Sequence, residues 1–223
     1  MKNGRLKAVI WDMDGVLVNS EPVHFATWRI VFERYGLPFN EESLRQTFGM
    51  TSPEVIRRIG GESLSDELAA LIIGEKETLF RDMIKGQAAY LPGSREWLDG
   101  FQQQGLRQAL ASSGSPENIA VILSALNAHA YFDVVVSGRD LPSKPEPRIF
   151  LQAAHLLGVL PHECLVIEDA IAGVSAAKAA GMTCLALSTT NKPEDLSGAD
   201  LICTDLSELQ PDTIQRLFCD PLM

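Results

Sequence analysis

The stretch that decides the fold reads AVIWDMDG and spans residues 8–15. Four apolar residues followed at once by Asp12-Met13-Asp14-Gly15 are typical of a buried strand that ends in a polar loop. Similar apolar runs recur, with helical segments between them, at residues 107–111, 133–136, 164–167, 183–187 and, more weakly, 201–203. Strands of this kind are covered on both faces, and their alternation with helices predicts an α/β fold built on a doubly wound parallel sheet.

Residues 20–89 interrupt this alternation and show helical periodicity without a convincing strand. One apolar helix face is predicted to contain Leu68, Leu71, Ile72, Leu79, Phe80, Met83 and Ile84. The alternation returns at residues 91–93, which read LPG. We therefore expect two domains: a core of residues 1–19 and 90–223, and a small helical cap domain of residues 20–89 inserted after the first strand.

Charge and composition exclude several classes of protein. The 19 basic and 29 acidic residues give a net charge of −10, which disfavours nucleic-acid and membrane surfaces as partners. Charges interrupt the apolar stretch at the N-terminus, so we expect no signal peptide or membrane span and a cytoplasmic setting. We also expect a monomer. No CxxC pair occurs, and buried free thiols are favoured over disulfides or zinc ligands for Cys164, Cys184, Cys203 and Cys219.

Candidate site residues lie at the ends of the first four strands. Asp12 and Asp14 follow the first strand, and Ser112, Ser113 and Gly114 follow the second. Lys144 lies beyond a loop after the third strand, and Glu168 and Asp169 end the fourth. Ligands bind beyond the carboxyl ends of the strands in an open parallel sheet, so we expect these residues to converge. Grouped carboxylates repel one another unless a cation lies between them, and oxygen ligands favour magnesium over zinc. Ser112, Lys144 and the helix that opens at Ser115 suit a phosphate.

Each of these features has a plainer explanation when it is taken singly. The two aspartates could form a surface turn, Ser112 could be a cap residue, and Glu168 with Asp169 could cap the following helix. Their order and their common position at strand ends favour one catalytic site. A dinucleotide-binding oxidoreductase is disfavoured because no G-x-G-x-x-G follows the first strand, and neither a G-x-S-x-G elbow, an H-E-x-x-H motif nor a P-loop occurs.

Residues 9–21, VIWDMDGVLVNSE, resemble the first motif of phosphatases of the haloacid dehalogenase superfamily. Ser112, Lys144-Pro145, and residues 166–169 (VIED) followed by Gly173 resemble the second, third and fourth motifs. The resemblance covers nearly the whole chain, includes the cap, and points to the β-phosphoglucomutase-like branch. It implies a Rossmann-like core with a helical cap.

The resemblance also implies a mechanism that depends on Mg²⁺. Asp12 would be the nucleophile and would form an aspartyl-phosphate, while Asp14 would protonate the leaving alkoxide. Asp12, the Asp14 main-chain carbonyl and Asp169 would hold the metal, with Glu168 binding it directly or through water. Lys144 would act at the same centre. Asp14 favours phosphoesters, because chloride leaves without a proton and a dehalogenase needs no acid there.

The remaining predicted binding residues divide between phosphate and cap. Ser112, Ser113 and Gly114, together with Lys144, are expected to bind the transferring phosphate. His24 matches a histidine that takes part in domain closure in the β-phosphoglucomutase pattern, although it could equally be a surface residue. Ser52 lies in a second cap element that resembles the mutase substrate loop.

The cap also bears on the choice between phosphatase and mutase. Where the mutase pattern carries a lysine and a phosphate-gripping arginine, this chain has Phe48 and Ser52. A mutase must hold the distal phosphate of a bisphosphate, so the missing cation favours a phosphatase acting on a sugar or polyol phosphate. The alternative is a mutase that uses Arg57 or Arg58. A non-catalytic regulatory member of the fold is disfavoured because it would be expected to lack Asp12 or Lys144.

Overall fold

The computed structural model describes residues 5–218 apart from 39, 41, 43, 45, 46, 48, 49, 62 and 63, so Phe48 and Cys219 lie outside the described residues. The strands form one parallel sheet in the order β3-β2-β1-β4-β5-β6. Their bounds are β1 Ala8–Trp11, β2 Arg107–Ser112, β3 Val134–Ser137, β4 Cys164–Glu168, β5 Thr183–Leu187 and β6 Leu201–Cys203. The predicted α/β class is confirmed, with the strand order reversing next to β1, where such sheets bind their ligands.

Helices lie on both faces of the sheet and in the insertion after β1. Their bounds are α1 Glu21–Arg34, α2 Ser52–Gly60, α3 Asp66–Ile84, α4 Ser94–Gln103, α5 Pro116–Ala125, α6 Arg148–Leu157, α7 Ile171–Ala179 and α8 Pro211–Arg216. Short 3-10 turns span His129–Tyr131, Pro161–Glu163, Pro193–Leu196 and Leu206–Glu208. Helix α5 begins as the sequence predicts, because the Ser115 hydroxyl accepts a hydrogen bond from the Asn118 N–H at 3.2 Å and proline occupies the first turn.

Strands β1, β4 and β5 are buried on both faces of the sheet, which explains why they are almost continuously apolar. In β1, Val9 and Trp11 join one hydrophobic cluster, while Ala8 and Ile10 join another on the opposite face. All four residues are fully buried. Alternate residues therefore face opposite layers, as the period of a strand requires.

The helices inserted after β1 have a hydrophobic cluster of their own, which includes Trp28, Phe32 and Ile56. The chain leaves and re-enters the core where Val18 and Tyr90 form an antiparallel bridge. We propose that the cap domain is bounded there, at residues 20–89, with residues 1–19 and 90–223 forming the core.

Helix α3 buries a row of residues spaced four apart: Ile72, Lys76, Phe80 and Ile84. Phe80 and Ile84 belong to the core cluster, so the end of this helix ties the cap to the sheet domain. The predicted apolar face is wrong at its start, where Leu68 and Leu71 are 37% and 55% exposed. In the described part of the chain, no helix is long and apolar enough to cross a membrane.

Candidate active site

The register of the three central strands brings the predicted site residues together. Trp11 pairs with Leu110 of β2 and with Ile167 of β4, so Asp12 begins the loop beside Glu168. A cavity of about 890 Å³ lies over this edge of the sheet. The predicted site residues that line this cavity are Asp12, Asp14, His24, Ser52, Ser113, Gly114, Lys144, Glu168 and Asp169. Ser112 is fully buried beside this lining.

Lys144 joins two of the carboxylates at the base of the cavity. Its Nζ lies 2.6 Å from Asp12 Oδ1 and 2.5 Å from Glu168 Oε1. The other oxygen of Glu168 accepts the N–H groups of Asp169 and Ala170 at 2.8 and 2.7 Å. Both oxygens of Glu168 are therefore engaged within the protein, and its carboxylate orients Lys144 beside Asp12.

Two glycines make room for these carboxylates. A Cβ at Gly173 in α7 would overlap the carboxylate of Glu168, and a Cβ at Gly15 would overlap that of Asp169. Gly15 also has a φ of +78°, which a residue with a side chain rarely adopts. The motif glycines at these positions are thus explained by packing against acidic groups.

The carboxylates at the base of the cavity carry shifted pKa values. Burial raises the pKa of Asp12 to about 7, with Glu168 and Asp14 adding to the rise and Lys144 opposing it. Burial and the charges of Glu168 and Asp12 also raise the pKa of Asp169 well above its ordinary value. Burial alone would lower the pKa of Lys144, but Asp12 and Glu168 raise it. Excess negative charge is therefore concentrated between Asp12 and Asp169.

This donor set fits Mg²⁺. Among the described residues no group of three or more His, Cys, Asp or Glu side chains is arranged to hold a metal. Magnesium retains several waters and needs only one or two carboxylates, so Asp12 and Asp169 with the Asp14 carbonyl suit it. A cation there would relieve the repulsion that adds to burial in raising both pKa values.

Asp169 is oriented by the loop after β5, which sequence reasoning missed. Thr190 donates its hydroxyl to the Asp169 carboxylate, and the Asn191 amide donates to the Asp169 carbonyl at 3.0 Å. Thr189 donates to the carbonyl of Gly15 at 2.5 Å. The signal was present, since the polar run Ser188-Thr189-Thr190-Asn191 follows β5 as the other site residues follow their strands.

Asp14 lies where the core meets the cap. Its carboxylate accepts a hydrogen bond from the Ser20 hydroxyl, and His24 Nε2 is 3.9 Å away. Burial alone would raise the pKa of Asp14, but His24, Ser20 and the charge of Lys76 outweigh it and lower the pKa. Asp14 is therefore ionised at rest.

The predicted phosphate-binding turn follows β2. The Gly114 N–H donates to the Ser112 hydroxyl at 3.0 Å, and Ser137 donates to the Gly114 carbonyl at 2.7 Å. Ser113 and Gly114 line the cavity, and helix α5 opens directly after them. Main-chain N–H groups at such a turn suit an anion.

The cap contributes a cation that the sequence analysis did not identify. Lys76 is fully buried in α3 and lines the cavity, with its Nζ 3.0 Å from His24 Nδ1 and 5.0 Å from the centre of the Phe80 ring. Burial lowers the pKa of Lys76, although Glu77 opposes this. Burial and Lys76 in turn lower the pKa of His24, whose ring stacks on Phe80 at 4.1 Å.

The candidate cations named from sequence lie elsewhere. Arg57 and Arg58 are exposed on α2 and are not among the described lining residues. Ser52 does line the cavity, but its hydroxyl donates to Glu77 of α3. The signal for Lys76 was its position four residues after Ile72 and four before Phe80, on the face that the helix buries.

The fold and the site are those of a hydrolase in which buried carboxylates lie at the ends of central parallel strands. The chain belongs to the haloacid dehalogenase-like hydrolases, whose family model matches residues 6–181.

The chain is similar to three known proteins across most of their length. It is 32% identical to a validoxylamine A 7'-phosphate phosphatase from Streptomyces hygroscopicus subsp. limoneus, covering 92% of this chain and 96% of the relative. It is 34% identical to a phosphorylated carbohydrates phosphatase from Thermotoga maritima, covering 79% and 82%. The crystal structure of a β-phosphoglucomutase from Clostridium difficile superimposes with a TM-score of 0.86 at 27% identity, covering 96% and 97%.

Proposed function

We propose that this protein is a magnesium-dependent phosphatase that hydrolyses a small phosphorylated sugar or polyol through an aspartyl-phosphate on Asp12. The observation that carries the proposal is Asp12 itself, which faces the cavity with its Oδ1 2.6 Å from Lys144 and with Asp14 two residues further on. The two relatives with phosphatase names add support.

In the first step, Asp12 attacks phosphorus as the bond from phosphorus to the leaving oxygen breaks. Lys144 is held between Asp12 and Glu168, so its positive charge is preorganised to interact with the phosphate oxygens. Asp14, which is ionised at rest, takes up a proton when the negatively charged phosphomonoester binds beside it, because added negative charge raises the pKa of a carboxylate. It then passes that proton to the leaving alkoxide, which would otherwise depart poorly.

In the second step, water attacks the phosphorylated Asp12. Asp14, now ionised, takes a proton from that water, and phosphate leaves as Asp12 is regenerated. The hydrogen bond from Ser20 and the nearby His24 favour the ionised form of Asp14, which is the form that this step requires.

Asp12, Asp169 and the Asp14 carbonyl would hold Mg²⁺. When it is bound, the ion neutralises charge between the nucleophile and the phosphate. Glu168 is proposed to orient Lys144 and to contact Mg²⁺ only through water, because its two oxygens already accept hydrogen bonds.

A phosphosugar mutase is the second candidate, and Lys76 favours it. A mutase needs a cap cation for the distal phosphate, and Lys76 is a cap cation that lines the cavity. The structural similarity to a β-phosphoglucomutase agrees with this alternative. A non-catalytic role is disfavoured, because Asp12 and Lys144 are both present and paired.

The test is phosphate release from a panel of sugar, polyol and nucleoside monophosphates with Mg²⁺. Asp12→Asn should abolish release while leaving the circular dichroism spectrum unchanged, because an amide is a poor nucleophile and ligand. Asp212→Asn, which alters an exposed aspartate of α8, is the matched control and should retain full activity. EDTA should inactivate the enzyme, Mg²⁺ should restore it, and Ca²⁺ should support it poorly.

Two results would contradict the proposal: full activity in chelator, or an Asp12→Asn rate of a tenth or more of wild type. The mutase is tested with β-glucose 1-phosphate, using glucose 1,6-bisphosphate as primer. A phosphatase releases free phosphate, whereas a mutase accumulates glucose 6-phosphate with almost no phosphate.

A further inference from the structure

Glu77 places a fixed negative charge in the part of the cavity that is formed by the cap and the start of α5. It follows Lys76 in α3, lines the cavity, and has a side chain that is only 14% exposed. Nothing in the transfer chemistry proposed above uses this carboxylate, so its place in the cavity needs another explanation.

Three elements supply the hydrogen bonds that hold Glu77. Ser52 of α2 donates to Oε1, Lys76 of α3 lies 3.0 Å from the same oxygen, and the Asn118 amide of core helix α5 donates to Oε2. Arg81, one turn further along α3, donates to Oδ1 of the Asn118 side chain at 3.2 Å. The carboxylate is thus bound from both domains.

These hydrogen-bond donors are the groups that could grip a second anionic group on a substrate. An ammonium, a hydroxyl and a side-chain amide can each donate a hydrogen bond to a phosphate, and the bond from the ammonium is charge-assisted. Here they converge on Glu77 instead. Burial opposes ionisation, but Lys76, Ser52 and Asn118 lower the pKa of Glu77 to about 2, so the charge persists at neutral pH.

We propose that Glu77 is a specificity-determining residue that selects phosphomonoesters whose far end is uncharged and rejects bisphosphates and phosphorylated carboxylates. This inference rests on the proposed phosphatase function and narrows its substrate class. Hydroxyl groups of a sugar or polyol can donate to Glu77 and accept from Lys76. A second phosphate would meet a carboxylate of like charge in a partly desolvated site.

The test compares ligands that differ at the far end: glucose 6-phosphate, 6-phosphogluconate and glucose 1,6-bisphosphate. Their dissociation constants are measured by calorimetry with Mg²⁺ on the full-length Asp12→Asn protein, so that no turnover is needed. This protein should bind glucose 6-phosphate more tightly than the two ligands with a charged far end. Adding Glu77→Gln should shift the ratio towards those ligands by about tenfold or more, because a like-charge repulsion has been removed.

Two variants control for structural damage. Glu77→Asp keeps the charge and should keep the preference for glucose 6-phosphate. Glu67→Gln removes an exposed charge from the same helix and should leave the ratio unchanged.

The inference is overturned if Asp12→Asn protein prefers the bisphosphate, or if folded Glu77→Gln protein keeps the same ratio. Equal shifts of the binding ratio in the Glu67→Gln and Glu77→Gln proteins would also overturn it, because the change in net charge, and not the position of Glu77, would then be the cause. Phosphate release by wild type is scored separately. Its absence would contradict the phosphatase function while the binding ratio still tests Glu77.

Discussion

Replacing Gly173 with alanine tests whether Glu168 positions Lys144. Gly173 is the third residue of α7, and a Cβ there would come closer than 3.0 Å to the carboxylate of Glu168. That carboxylate is fully buried and accepts hydrogen bonds from Lys144 at 2.5 Å and from the Asp169 and Ala170 N–H groups at 2.8 and 2.7 Å. It cannot move aside without losing these partners.

The expected magnitude follows from two opposing effects. Breaking a buried ion pair costs about 3–5 kcal/mol. Alanine is favoured over glycine inside a helix by about 1 kcal/mol. The free energy of unfolding of Gly173→Ala should therefore fall by about 2–4 kcal/mol. The kcat should fall by about a hundredfold, as when a fixed electrostatic group is lost from an active site.

Stability is measured by urea denaturation followed by circular dichroism, and kcat by phosphate release. The matched control is Gly100→Ala, since Gly100 lies inside helix α4 and an added Cβ would meet nothing within 4 Å. It should be stabilised by about 0.5–1 kcal/mol with unchanged kcat. A Gly173→Ala protein as stable and as active as Gly100→Ala would refute the role assigned to Glu168.

Three further predictions concern the acid, the metal and the cap. Asp14→Asn should reduce kcat on a sugar phosphate far more than on p-nitrophenyl phosphate, whose phenolate leaves without a proton; equal losses would argue against a leaving-group acid. Thr190→Val should raise the Mg²⁺ concentration needed for half-maximal activity, because Asp169 loses its hydroxyl partner, whereas the exposed Thr78→Val should not; identical Mg²⁺ curves would remove Thr190 from that role. The pKa of Glu77 is lowered from 4.5 to about 2, so its ionised form stabilises the fold above about pH 4.5 and that contribution is lost as pH falls towards 2. The stability difference between wild type and Glu77→Gln, measured by urea denaturation, should therefore shrink by about 2 kcal/mol between pH 6 and pH 3, because most of the Glu77 population is still ionised at pH 3. A constant difference would contradict the lowered pKa.

The main features of the core could be predicted from local sequence pattern. The six apolar runs match the six strands of the described sheet within one residue at each end, because burial on both faces leaves a continuous apolar signal. The site residues Asp12, Lys144 and Glu168 could be grouped without coordinates for a similar reason. The carboxyl ends of parallel strands lie at one edge of a sheet, so residues at those ends must meet.

The cap was predicted less accurately from local sequence pattern than the core. Periodicity identified its helices, but it placed Leu68 and Leu71 on the buried face, where the structure exposes them. The sequence shows no cation at Ser52 and offers only the arginines of α2 as alternatives, whereas the structure places Lys76 of α3 in the cavity lining. A charged residue on a buried helix face breaks the usual pattern, and sequence alone does not say which buried environment receives it.

The sequence by itself determined the fold class, the inserted cap and the grouping of carboxylates at the strand ends, since each depends on patterns within a few residues. Only the tertiary structure decided that Glu168 accepts from Lys144 and that Glu77 accepts from Asn118. The second contact joins residues 41 positions apart in different domains. Hydrogen bonds of this kind form only when the packing of helices fixes both partners within about 3 Å, and no local pattern encodes that distance.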